Sequence, residues 1–217
     1  MKNNLHNVRK DYQKATLSMA EAPTHPDMLI QQWMGEAEEN DPHDFNAFVL
    51  STANLNGEPS ARVVLARAIS PIGLTFYTNY QSRKGKELIA NPRAAATFFW
   101  KDLERQLRIS GAVHKLNPQE SDAYFASRPR ASQIGAWASQ QSQTLKGGAD
   151  ELTSAVEEMN ARFHSKDNIP RPNHWGGFQI SLDQVEFWQG RPNRLHQRLQ
   201  YTREPNGATY EIEWLNP

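Results

Sequence analysis

The chain has no cysteine among its 217 residues. That excludes a disulfide framework and any thiolate metal site. It also has no net charge, with 24 Lys+Arg against 24 Asp+Glu, so it lacks the excess basic face that RNA or DNA binding requires. No apolar run approaches the roughly 20 residues needed to span a bilayer. The opening stretch MKNNLHNVRKDYQK lacks the apolar core of a signal peptide. Together these absences predict a cytoplasmic protein with no membrane or nucleic-acid partner. No G-x-G-x-x-G follows a strand pattern, Gly85-Lys86 lacks the rest of a Walker loop, and no G-x-S-x-G elbow is present. The seven histidines are scattered without metal-ligand spacing, so no catalytic metal is expected.

What is present is a pattern of arginines beside turns, strand ends and helix starts: Arg62, Arg67, Arg83-Lys84, Arg128, and Arg194-Leu195-His196-Gln197-Arg198. The planar guanidinium matches phosphate oxygens bidentately, so separate arginines in a neutral chain suit capture of small phosphorylated molecules. Hydrophobic content of 38% fits an ordinary globular domain. Residues 1–23 are mostly polar and predicted mobile; residues 24–217 read as one domain.

Thr24-His25-Pro26-Asp27 predicts a helix start with Thr24 as cap, followed by Ile30, Trp33, Met34 and Ala37 at helical spacing. Glu36 to Asp44 reads as an acidic connector. Strands are predicted at 48–53, 61–67, 74–78, 94–100 and 106–116, with a hairpin turn at Asn56-Gly57. Ser82 caps a short helix to Ala90. Asn117-Pro118 opens a helix ending near Arg128, because Pro129 follows. A further helix covers Ser132 to Ala138, and Leu152, Val156, Met159 and Phe163 mark a longer one. Residues 176–188, 195–202 and 209–214 are predicted as closing strands. The fold class is therefore mainly β with helices (α+β), an antiparallel closed or partly closed barrel.

Several stretches carry chemistry. In a regular strand Arg194, His196 and Arg198 would share one face, with Leu195 and Leu199 turned into packing. Two cations flanking a histidine suit an anionic substrate or developing charge; the alternative is a solvated outer strand. Tyr124 and Arg128 lie one helical turn apart, and Ser132 capping the next helix would complete a phosphate site; the alternative is surface arginines and a simple cap. Arg62 and Arg67 fall on opposite faces of a regular strand, so one ligand meets both only if the strand bends or the ligand wraps its end. Ser82-Arg83-Lys84 joins a helix N-terminus to two cations. Gln106, Gln141 and Ser142 offer hydrogen bonds to a polar ring edge, or lie on the surface.

These residues, together with Phe76-Tyr77-Thr78-Asn79, Leu103-Glu104-Arg105-Gln106, Ser127-Arg128-Pro-Arg-Ala-Ser132, Trp175-Gly-Gly-Phe178 and Glu186-Phe-Trp188-Gln-Gly190, resemble the pyridoxine/pyridoxamine 5′-phosphate oxidase family. The matches run in order from about Arg9 to Pro217. The resemblance implies an FMN-binding split β-barrel acting as a homodimer with FMN at the interface. It implies oxidation of phosphorylated B6 vitamers by O2 to pyridoxal 5′-phosphate. By position it implies flavin contacts from Arg62, Val63, Val64, Leu65, Ala66, Arg67, Tyr77, Thr78, Arg83, Lys84, Gln106, Gln141, Ser142, Trp188 and Arg198, with Arg83 and Lys84 on the FMN phosphate. Tyr124, Arg128 and Ser132 would clamp the substrate phosphate, with Arg67 nearby. Arg194 and His196 would form the catalytic pair over the pyridine ring, and Arg9 and Tyr12 a lid. Two positions depart from the family pattern: Arg67 stands where Lys is usual, and Gln197 where Asp is usual, the latter expected to tune the site from the opposite strand face. A flavin oxidase of another aromatic, and a non-catalytic carrier of FMN or pyridoxal phosphate, remain the alternatives.

Overall fold

The computed structural model describes residues 11–217; the candidate lid residue Arg9 lies outside them. Helix α1 (Pro26–Asn40) leads into the hairpin β1 (Ala47–Ala53) and β2 (Pro59–Leu65). Then come β3 (Ala68–Ser70), β4 (Gly73–Asn79), α2 (Arg83–Ala90), β5 (Arg93–Trp100) and β6 (Arg105–Lys115). Three helices follow: α3 (Pro118–Ser127), α4 (Arg130–Ala138) and α5 (Gly148–Arg162). The chain closes with β7 (Trp175–Ile180), β8 (Gln184–Gln189), β9 (Gln197–Arg203) and β10 (Tyr210–Leu215).

Every strand pair is antiparallel, as expected for the fold class. The main path runs β10-β9-β8-β6-β5-β1-β2. Strand β6 is long enough to serve two neighbours along one edge. Its first half pairs with β8, and Val113 to Lys115 pair with β7, which carries β4 and β3. This fork curls the sheet into a half-barrel.

Alternation decides what fills it. Phe48, Leu50, Phe76, Phe98, Leu107, Ile109, Phe187 and Leu199 point inward and are fully buried. Trp33 of α1 plugs one side, edge-on to Phe187 with ring centroids 5.1 Å apart. A smaller cluster of Phe125, Ile134, Phe163, Ile169 and Trp175 lies beneath α3, α4 and α5.

Several boundaries differ from expectation. His25, not Thr24, is the cap of α1, and its ring nitrogen pairs with Asp27 at 2.5 Å. The predicted acidic connector is helical as far as Asn40, because Ala37 still packs into the core. The predicted strand over 176–188 is two strands, broken at residues 181–183. The strand expected from Leu195 starts only at Gln197, because Pro192–Arg194 forms a 3-10 turn with Asn193 and Arg194 at positive φ. Arg194, His196 and Arg198 therefore do not share a strand face by simple alternation, and Leu195 is 68% exposed rather than packed.

Candidate functional site

The cleft is built where α2 begins. Ser82 caps the helix: its hydroxyl accepts from the Gly85 N–H and donates to the Asn79 carbonyl. Gly85 is needed there, since a Cβ would sit 2.4 Å from the Tyr80 carbonyl oxygen. That close approach presses the helix start against the end of β4 and turns Lys84 inward. The Lys84 ammonium is buried and donates only to neutral oxygens: Thr78 Oγ1 at 3.2 Å, Gln141 Oε1 at 3.1 Å and Ser82 Oγ at 3.4 Å. Burial, and then the nearby Arg62 guanidinium, push its pKa down to about 8.

One turn along α2, Glu87 organises the arginines. Its carboxylate accepts from Thr52 Oγ1 at 2.5 Å, Ser60 Oγ at 2.6 Å and Arg83 Nε at 2.9 Å, and lies 3.5 Å from Arg62 Nη2. Burial would raise its pKa, but the hydrogen bonds from Ser60, Thr52 and Arg83 outweigh it and hold the group at about 2. Arg62 also donates to Thr52 Oγ1 and the Leu50 carbonyl. Glu87 carried no functional reading from sequence, although its spacing of four residues from Arg83 is the helical ion-pair spacing.

The cleft measures about 830 Å³. Arg62, Val63, Val64, Leu65, Arg67, Tyr77, Thr78, Arg83, Lys84, Tyr124, Arg128, Ser132, Gln141 and Ser142 all line it, so most of the expected residues converge. Arg62 and Arg67 share it despite their odd spacing, because β2 stops at Leu65 and Arg67 turns back to hydrogen-bond Thr75. Ser132 does not cap α4. It is the third residue of that helix, whose cap is Pro129, and it faces the cleft from within the first turn. Ala66 is buried in the core and does not line the cleft. Tyr77 stacks on Tyr124, centroids 3.8 Å apart, and Arg128 leaves Nη1 buried with no hydrogen-bond partner among the described residues.

A second group forms elsewhere on the chain. Gln106, Trp188 and Arg198 stand abreast across β6, β8 and β9, and none of them lines the cleft. Glu186 holds Arg198 through Nε at 2.8 Å and Nη2 at 3.1 Å. The His196 ring lies 4.6 Å from Trp188, and its Nδ1 accepts from the Arg191 N–H. Burial, and then Arg194, push the His196 pKa down, which favours the neutral imidazole that this hydrogen bond requires. Tyr12 sits edge-on to Trp188 and His196, over Gly190, where a Cβ would come within 2.6 Å of its ring. The segment behind Tyr12 is tied down. Glu104 accepts from the N–H groups of Gln13 and Lys14, Arg191 donates to the Ala15 carbonyl, and the Gln197 carboxamide pairs with both backbone groups of Leu17.

Comparison with known proteins fits this geometry. The family model described as pyridoxamine 5′-phosphate oxidase matches residues 34–163. A second, described as the pyridoxine 5′-phosphate oxidase C-terminal dimerisation region, matches residues 175–217. The chain belongs to the pyridoxine/pyridoxamine 5′-phosphate oxidase family. The oxidase of that name from Salinibacter ruber is 46% identical over 98% of this chain and 99% of its own. That from Paraburkholderia phymatum is 45% identical over the same shares. Among solved structures, PhzG from Burkholderia lata, in complex with tetrahydrophenazine-1-carboxylic acid, superposes with a TM-score of 0.85 at 29% identity, covering 93% of this chain and 98% of that one. A pyridoxamine 5′-phosphate oxidase-related, FMN-binding protein from Nostoc punctiforme shares the split-barrel fold, with a TM-score of 0.71 at 17% identity over 94% of this chain and all of that one. This oxidase therefore has the antiparallel barrel expected from its strand pattern, in the split form that the family resemblance implied.

Proposed function

We propose that this oxidase converts pyridoxamine and pyridoxine 5′-phosphates to pyridoxal 5′-phosphate with FMN as cofactor, in a cytoplasmic homodimer. The observation that carries the reading is a single cleft holding two buried cationic groups without carboxylate partners among the described residues: the Lys84 ammonium at one helix start and Arg128 Nη1 beside Tyr124 and Ser132. Burying such groups is costly unless an anion arrives to pair with them. The residues thus fit a cofactor phosphate held by Arg83, Lys84 and the Ser82-capped helix start, and a substrate phosphate held by Arg128, Tyr124 and Ser132. Arg62, Thr78, Gln141 and Ser142 would contact the rest of the flavin, with Val63, Val64 and Leu65 along its edge and Arg67 between the two ligands. When bound, FMN would supply an acceptor for the hydride leaving the substrate C4′ carbon, with O2 as the final oxidant reduced to hydrogen peroxide; on the amine route water would then replace nitrogen at C4′ and release ammonia. Arg194 and His196 would orient the pyridine ring, the neutral imidazole donating through Nε2.

The dimer reading rests on the separation of the two groups. Gln106, Trp188, Arg198, Arg194 and His196 lie outside the cleft of their own chain, so a complete site needs a second copy to supply them. The matched dimerisation region, residues 175–217, contains four of these five. An uncovered apolar face also borders the cleft: Val63 is 66% exposed and Phe99 59%, with Val49 and Leu65 beside them.

PhzG and its phenazine ligand mark the competing reading. Against it stands the higher identity to the B6 oxidases, 46% and 45% against 29% for PhzG. The absorbance spectrum of the purified protein, followed by anaerobic addition of pyridoxamine 5′-phosphate, tests the proposal. Bleaching of a yellow chromophore is expected. A protein that takes up no FMN, or whose flavin bleaches only with a non-phosphorylated aromatic, overturns it.

A further inference from the structure

We propose that Trp175 is a positioning residue for Arg128, its ring taking the place that a carboxylate holds beside the other site arginines. This rests on the reading of Arg128 as the substrate-phosphate ligand. Arg62 and Arg83 are held by Glu87, and Arg198 by Glu186. Among the described residues Arg128 has no carboxylate partner. Instead its guanidinium carbon lies 4.6 Å from the Trp175 ring centroid and 5.6 Å from that of Phe125.

The difference matters for binding an anion. A carboxylate engages guanidinium N–H groups in the plane and cancels the charge. An aromatic face attracts the cation through its quadrupole from above the plane, leaving the edge donors free and the charge uncancelled. Arg128 Nη1 is accordingly buried but unbonded. The ring can hold a fixed position because it is itself locked. Trp175 is 7% exposed and stacks on Tyr77 with centroids 5.5 Å apart and planes 11° from parallel. Its carbonyl accepts from Arg171 Nη1 at 2.6 Å, and Asp122 in turn holds Arg171 Nε. From the other side Gln133, itself buried, donates to the Arg128 and Ala126 carbonyls at 2.8 and 3.2 Å, fixing the backbone from which the guanidinium projects. Trp175 thereby preorganises a full positive charge where a substrate phosphate arrives, and favours phosphorylated over neutral ligands.

The test compares flavin-loaded wild type, Trp175→Leu and Trp175→Phe. Two measurements are made: steady-state kinetics with pyridoxamine 5′-phosphate, and a spectral titration with pyridoxal 5′-phosphate, the aldehyde product. For Trp175→Leu, KM and the pyridoxal 5′-phosphate Kd are expected to rise together about tenfold, with a smaller change in kcat. Trp175→Phe, which keeps an aromatic face, should recover most of that loss. FMN Kd, followed by flavin fluorescence, should stay within about twofold of wild type, which a general loss of structure would not allow. A folded Trp175→Leu protein with unchanged KM and Kd overturns the proposal, as does a Phe variant as impaired as the Leu one. Should Trp175→Leu fail to fold, a cycle of Trp175→Met, which keeps bulk but no aromatic face, with Arg128→Gln decides: non-additive effects on Kd support the contact, and additive effects remove it. Wild type that does not turn over pyridoxamine 5′-phosphate would fail the underlying reading instead.

Discussion

The cleft at the start of α2 and the Trp188–His196 ridge are built on opposite plans. The cleft is cut mainly into regular structure, and its charges are held by side-chain partners: buried Glu87 on two arginines, and buried Ser82 and Thr78 with the exposed Gln141 around Lys84. The ridge stands on a turn with two residues at positive φ, and its catalytic candidate Arg194 is exposed. Its order comes from a segment far away in sequence, the strap from Tyr12 to Leu17. A preformed anion cleft beside a ridge held by a strap suits a tightly kept cofactor and an exchanging substrate. Local opening is cheap where few buried contacts resist it.

The largest perturbation should come from separating the two regions. Phe99→Asp, outside the cleft lining, places a charge on the uncovered apolar face. It should weaken the dimer by about 2–5 kcal/mol, and flavin should be lost as monomer forms. Sedimentation velocity with absorbance at the flavin wavelength measures both, and a variant that stays dimeric moves the interface elsewhere. Next in size, Arg194→Ala should lower turnover about 100-fold while FMN stays bound, since a donor on the ridge acts on substrate alone. Unchanged turnover would remove Arg194 from the site.

Lys84→Met tests the cleft directly. FMN should bind about tenfold or more weakly, because a charge-assisted contact is gone. Yet the flavin-free protein should become more stable at pH 7. The folded pKa of about 8 lies below the 10.5 of a free lysine, so the folded state holds a buried charge at a cost below pH 8. In wild type that cost is relieved as pH rises from 8 to 10.5; the Met variant should lack this rise in thermal stability. Opposite signs for stability and affinity are what distinguish a ligand-poised lysine from a structural one.

Glu87→Gln should cost about 1–3 kcal/mol at neutral pH. Its folded pKa of about 2 lies below the 4.5 of a free glutamate, so its stabilisation is fully present above pH 4.5. The gap from wild type should therefore narrow as pH falls from 4.5 toward 2; a pH-independent gap in denaturant unfolding would contradict the network. The smallest effect belongs to Gln197→Glu, which keeps an acceptor for the Leu17 N–H but turns the donor to the Leu17 carbonyl into a second acceptor. Faster hydrogen exchange over residues 11–17, with little change in global stability, is the expected signature. Unchanged exchange would mean that Gln197 does not fasten the strap.

Much of this was legible in the chain. The Ser82 cap, the Asn117-Pro118 helix start and the alternation through Phe48 and Leu50 are local signals, and all are realised. The arginine positions pointed to anion capture, and most of those residues do meet in one cleft. The errors arose where distant packing overrides local pattern. Arg194 to Arg198 looked like a continuing strand, but Pro192 and the turn after it delay the strand to Gln197. Ser132 was expected to cap the next helix, yet Pro129 takes the cap position and Ser132 lines the cleft from the first turn. Gln197 was expected to act on the site indirectly, from the far strand face; what the chain could not show is that its carboxamide grips the backbone of Leu17.

The sequence alone determined which chemistry was available: guanidinium and ammonium groups beside turns, strand ends and helix starts, and a β-rich chain with no metal-ligand or dinucleotide-loop motif. Tertiary structure decided which of those groups are spoken for. Whether an arginine is already neutralised depends on what stands beside it in space. Glu87 answers for Arg62 and Arg83 and Glu186 for Arg198, while Arg128 meets an aromatic face. Electrostatic pairing falls off over a few ångströms, so residues up to dozens of positions apart settle it, and no local reading of the chain contains that distance.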